Sequence, residues 1–172
     1  ELSTSFKYNI ESPVWMPDSK GLYFTSLVEG LKEIWKTDLE GNMARVTPER
    51  EWYDFGAPSL LTLTAEDGTV AVERLITTNI CMLRPAEIVS INPQDGSWEQ
   101  LTFENKDIFD QLDEVTVEER WIRTSDNKRM LTWVLYPPKF DKTKVYPSIL
   151  LCLGGPQGTL SQGWSYRWNY RL

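Results

Sequence analysis

The sequence predicts a mainly β protein: two four-stranded units of the kind that build β-propeller blades, followed by strands of a different character. Three observations carry this reading. Up to about Thr102 the chain consists of short apolar or alternating runs separated by Gly, Pro, Asn and Asp turns. The order of those runs and turns occurs twice. From Glu104 the chain becomes first acidic and then strongly apolar.

The first unit opens with Ser12-Pro13-Val14-Trp15, turns at Asp18-Ser19-Lys20-Gly21 and continues in Leu22-Tyr23-Phe24-Thr25. The second opens with Ala57-Pro58-Ser59-Leu60, turns at Glu66-Asp67-Gly68 and continues in Thr69-Val70-Ala71-Val72. Each unit ends in a hairpin. Glu33 to Thr37, the turn Asp38 to Asn42 and Met43 to Thr47 correspond to Glu87 to Ile91, the turn Asn92 to Gly96 and Ser97 to Thr102. Ala57 follows Ser12 by 45 positions and Glu87 follows Glu33 by 54, so the second unit carries insertions, as repeats do in their loops. A strand, an Asp/Gly turn, a second strand and a closing hairpin is the sequence form of a blade. The alternative is a generic antiparallel meander. A ring needs roughly four to eight blades to protect its edges, so two blades alone are expected to leave strand edges free to pair with another copy.

Composition narrows the chemistry. The 172 residues contain no histidine, which excludes a complete Ser-His-Asp site and most zinc sites within this chain. No catalytic triad residue, metal ligand or cofactor is therefore assigned. Lys+Arg 18 against Asp+Glu 25 gives a net charge of −7, which disfavours a nucleic-acid surface. No run reaches the roughly 20 apolar residues of a membrane helix, and no membrane partner is expected. The chain starts at Glu1 without a basic or apolar leader, which reads as an internal start. Cytoplasmic and periplasmic placements both stand open. Cys81 and Cys152 lie in segments of different character and read as two reduced, buried thiols.

Residues 104–119 read as a solvated acidic linker; their spacing matches no Ca²⁺ loop. Arg120 to Thr124, the turn Asp126 to Arg129 and Met130 to Tyr136 then form a hairpin that Pro137-Pro138 stops. After Tyr146-Pro147, the run Ser148 to Leu153 has the composition of a strand buried on both faces. It ends in Gly154-Gly155-Pro156-Gln157. A glycine pair at the end of a buried strand lets backbone N–H groups approach a ligand, as in oxyanion holes, although such a turn also serves structure alone.

The succession of blade-like units, acidic linker, Trp-containing hairpin, Tyr-Pro-Pro, Tyr-Pro, apolar run, Gly-Gly-Pro-Gln and Trp164-Ser165-Tyr166-Arg167-Trp168-Asn169 resembles the prolyl oligopeptidase family of serine peptidases. It resembles most the acylaminoacyl-peptidase and bacterial dipeptidyl-peptidase branch. The resemblance implies that residues 1–103 are the last blades of a propeller, 104–119 a linker and 120–172 the first strands of an α/β-hydrolase domain. It implies peptide substrates cut near their N-terminus, with the Ser-Asp-His triad beyond residue 172. This chain alone is then expected to be inactive. The Gly-Gly-Pro turn matches the family's oxyanion loop, making the backbone N–H of Gly155, and then Gly154, the candidate donors.

Leu153, preceding the turn, has no side-chain donor, and Cys152 has no basic neighbour to activate it as a nucleophile. Arg167 is a candidate for a substrate carboxylate or carbonyl contact, with local packing as the alternative. Glu118-Glu119 precede a hydrolase strand and are given no amine-binding role. The competing function is a β-propeller interaction module without an enzymatic parent, for which a run ending in Gly-Gly-Pro-Gln would have no use.

Overall fold

Tight reversals set the architecture, and left-handed backbone at Ser19, Glu29, Gly30, Gly41, Gly68, Gly96 and Asn127 marks where the chain turns between strands. The computed structural model describes residues 6–155 and 158–171. Strands β1 (Glu11–Trp15), β2 (Gly21–Val28), β3 (Leu31–Asp38) and β4 (Met43–Arg45) pair antiparallel in chain order. Val28 pairs with Leu31, leaving Glu29 and Gly30 as a two-residue loop. Their φ values of 46° and 81° suit a type I′ turn, whose twist matches that of the strands it joins. Gly30 is needed for space as well: a Cβ there would stand 2.4 Å from Leu131 Cδ2.

The second sheet contains β5 (Asp54–Phe55), β6 (Ser59–Thr64), β7 (Val70–Cys81), β8 (Arg84–Ile91) and β9 (Trp98–Gln100). Strand β7 is long enough to serve two partners on one side. Its first part pairs with β6, and its end, through Asn79 and Ile80, with β5; β8 and then β9 continue the sheet on its other side. Equivalent side chains make two of the turns: Asp67 accepts from the Thr69 N–H and Asp95 from the Ser97 N–H, each at 2.9 Å. Asp and Asn fold turns through such local bonds, which is why the turns are legible in sequence.

The two sheets share one core. Tyr23, Ile34 and Val46 from the first meet Phe55, Leu75, Val89 and Ile91 from the second, with Met16, Tyr53, Leu60 and Trp98 packed around them. Strand β2 is buried along most of its length, whereas β6 alternates. A polar contact also crosses the junction: the Tyr23 hydroxyl donates to Glu73 at 2.8 Å. Burial and that carboxylate push the Tyr23 hydroxyl far above its usual range, so it stays a donor.

The remaining third differs from expectation in two places. The stretch read as a linker holds a short helix, α1 (Lys106–Phe109), and its end already belongs to β10 (Thr116–Arg123). Strand β10 pairs with β11 (Arg129–Tyr136) from Thr116↔Tyr136 to Arg123↔Arg129. Glu118 and Glu119 are therefore strand residues.

The expected buried strand at Ser148 to Leu153 does not form: the segment has no ladder partners among the described residues, with Ile149 88% and Leu150 82% exposed. A strand needs a neighbour for its N–H and C=O groups, and the described residues supply none. Cys152 is consequently exposed, against the expectation of a buried thiol, while Cys81 is buried.

Because Leu75 is fully buried in the shared core, Leu75→Ala is expected to cost about 2–5 kcal/mol. Leu63→Ala, on the solvent side of β6, should change stability by about 0.5 kcal/mol or less. Denaturant midpoints of the two variants check the difference.

Candidate functional site

The glycine turn lies between a free segment and an anchored one. Before it run the exposed residues 148–153; after it, Leu160 to Gln162 are fastened to the body of the protein. Gly155 has φ of 138°, a backbone that side chains rarely adopt, and a Cβ on Gly154 would meet nothing within 4 Å. The two flanks of the turn approach closely, since a Cβ on Gly158 would come 2.5 Å from Leu153 Cδ2. Among the described residues, the N–H groups of Gly154 and Gly155 donate to no backbone carbonyl. Pro156 and Gln157, the rest of the motif, lie outside the described residues.

The anchor is built around Asp54, only 6% exposed at the start of β5. The Lys32 N–H donates to its Oδ1 at 2.9 Å. From the other side the Ser161 hydroxyl and the Gln162 N–H also favour its charge, but burial outweighs all three and raises the carboxyl above its usual range. Gln162 is 1% exposed and its Oε1 accepts from the Met82 N–H at 3.4 Å. Nearby, the Trp133 indole N–H donates to the Leu160 carbonyl at 3.0 Å and its ring stands edge-on to Trp52 at 5.9 Å. Arg50 pairs with Glu119 of β10. These contacts hold the turn's carboxyl side against both sheets and the β10–β11 hairpin.

Arg167 lies apart from this anchor and is exposed. Its guanidinium sits 5.2 Å from the Trp168 ring, and its N–H donates to Ser165 Oγ at 3.3 Å. Trp164 packs edge-on against Phe109 of α1, 5.6 Å between centroids. The structure thus gives Arg167 a local packing partner and does not bring it to Gly154 or Gly155 through any bond among the described residues.

Glu118 and Glu119 are both engaged. Arg120 and the Tyr136 hydroxyl bond Glu118 and hold its carboxyl at about 2; Glu119 accepts from the Trp121 indole at 2.5 Å. Neither stands free for an amine. Asp54 and Gln162 carry no signal in the sequence, because an isolated Asp in a two-residue strand or Gln in a loop shows no periodicity and is buried only by residues distant in the chain.

No protein-family model matches the chain. Dipeptidyl-peptidase 5 of Porphyromonas gingivalis is 38% identical over 172 residues, covering 99% of this chain and 23% of the relative. A solved acylaminoacyl peptidase, in complex with Z-Gly-Gly-Phe-chloromethyl ketone, matches 98% of this chain and 24% of its own with a TM-score of 0.68 at 20% identity. A prolyl endopeptidase structure matches 82% of this chain and 19% of its own, with a TM-score of 0.51 at 16% identity. The chain therefore spans less than a quarter of the length of each of these proteins.

A raised folded-state value means that Asp54 binds its proton more tightly when folded than when unfolded, where its ordinary value is 3.8. Its influence is most favourable to folding below 3.8 and is lost as pH rises through the folded value. Asp54→Asn should remove that part of the decline. Unfolding midpoints of both proteins, measured from below pH 3.8 upward, should converge or diverge with pH accordingly; parallel profiles would contradict this account.

Proposed function

We propose that this chain, which belongs to the prolyl oligopeptidase family of peptidases, supplies the oxyanion loop of a serine exopeptidase that releases short units from peptide N-termini. The observation that carries the proposal is the open Gly154-Gly155 turn, with Gly155 at φ 138° and two backbone N–H groups not taken by the described backbone. A peptide carbonyl under attack gains negative charge on its oxygen, and a backbone N–H at the turn would stabilise it. The 38% identity to a dipeptidyl-peptidase along 99% of this chain favours dipeptide release; acylated N-termini are the other substrate class in view.

In this reading residues 1–103 are propeller blades that restrict entry to short peptides. Residues 104–119 connect them to the hydrolase domain, whose first strands begin within 120–172. In this reading the whole Ser-Asp-His triad lies outside this sequence, which contains no histidine to complete it. The isolated 172-residue polypeptide is then inactive.

The protein expressed from its natural gene should release p-nitroaniline from dipeptidyl substrates with a free N-terminus and react with a fluorophosphonate probe. The 172 residues alone should do neither. Gly155→Ala, which forces a side chain onto φ 138°, is expected to lower kcat by about 10²-fold or more, with a smaller effect on KM. An unreactive full-length protein, or full kcat in the Gly155 variant, would overturn the proposal.

A further inference from the structure

We infer that the cleft beside the β7–β8 turn is a carboxylate-binding site for a small aromatic or apolar acid, such as the C-terminal end of a short peptide. The cleft measures about 750 Å³, within the usual size of small-molecule sites. Trp52, Tyr53 and Phe109 supply apolar wall, and Arg84, Gln162 and Arg171 supply donors.

The three donors meet at one short turn. Gln162 takes the Met82 N–H at 3.4 Å, Arg171 donates to the Leu83 carbonyl at 3.3 Å, and Arg84 follows directly in the chain. The Gln162 amide nitrogen is buried and has no acceptor among the described residues. Buried donors are almost always paired, so an unpaired one lining a cleft points to an acceptor brought by a ligand.

The cations have the complementary property. Neither Arg84 nor Arg171 forms a salt bridge with a described carboxylate. Arg84 bonds the Tyr53 hydroxyl and lies 5.4 Å from that ring. Arg171 bonds carbonyls of Leu83 and Asp113 and lies 5.2 Å from the Phe109 ring. A guanidinium has five N–H groups, so both retain donors for a carboxylate.

The cleft's own acids do not cancel this. Glu87 is occupied by Thr102 and Asn105, Asp110 pairs with Lys106, and Glu114 is exposed on the connection before β10. A carboxylate, with two acceptor oxygens and a negative charge, fits the two guanidinium groups and the amide together; a neutral amide fits them less well.

Binding of 3-phenylpropanoate and of 3-phenylpropanamide to the full-length protein, measured by calorimetry, tests the inference without turnover. The acid is expected to bind at least 10-fold more tightly than the amide. Arg84→Ala, at an exposed position, should abolish that preference, and Gln162→Leu should weaken the acid more than the amide. Equal affinities in the wild type, or a preference unchanged by Arg84→Ala, would overturn the site. Since hydrolysis is not read, that outcome would leave the role of Gly154 and Gly155 standing.

Discussion

The buried carboxylate of Asp54 joins three pieces of chain that are far apart in sequence. It stands at the start of β5, accepts from the Lys32 N–H of β3 and is supported by Ser161 and Gln162 from beyond the glycine turn. Burying a charge is costly unless hydrogen bonds replace its water. Burial raises the Asp54 carboxyl although these bonds oppose it. The junction fixes geometry by hydrogen bonds, while the two sheets share an apolar core.

This division of labour explains the placement of the glycine turn. Its carboxyl side is held by Asp54, by the Trp133 indole on the Leu160 carbonyl, and by Gln162 against Met82. Its amino side has no ladder partner among the described residues. The apolar run Ile149, Leu150, Leu151 and Leu153 is exposed along its length. Segments of this kind mark a surface made for another surface, consistent with a chain that spans 23% of its relative's length.

The β10–β11 hairpin also serves as a bridge. Trp133 faces Trp52 and the Leu160 carbonyl at once, Glu119 meets Arg50, and Leu131 packs where only a glycine at position 30 leaves room. One tight turn of the first sheet therefore makes space for the hairpin, and the hairpin fixes the loop that leaves the glycine turn. The cleft beside the β7–β8 turn is lined by the same C-terminal segment, through Gln162 and Arg171.

Sequence alone determined the features that rest on local chemistry. The Asp-containing turns at Asp67 and Asp95, the reversal at Asn127 and the order of strands in each repeated unit follow from hydrogen bonds and φ preferences within a few residues. The motif Gly154-Gly155 was legible for the same reason. The burial of Ser148 to Leu153 was not, because apolar composition states what a segment needs and cannot supply the neighbour that satisfies it. Asp54, Gln162 and the pairing of Arg50 with Glu119 were decided only by the tertiary structure, since each joins residues far apart in the chain, and the burial that gives them their properties exists only once the sheets and the C-terminal segment have packed.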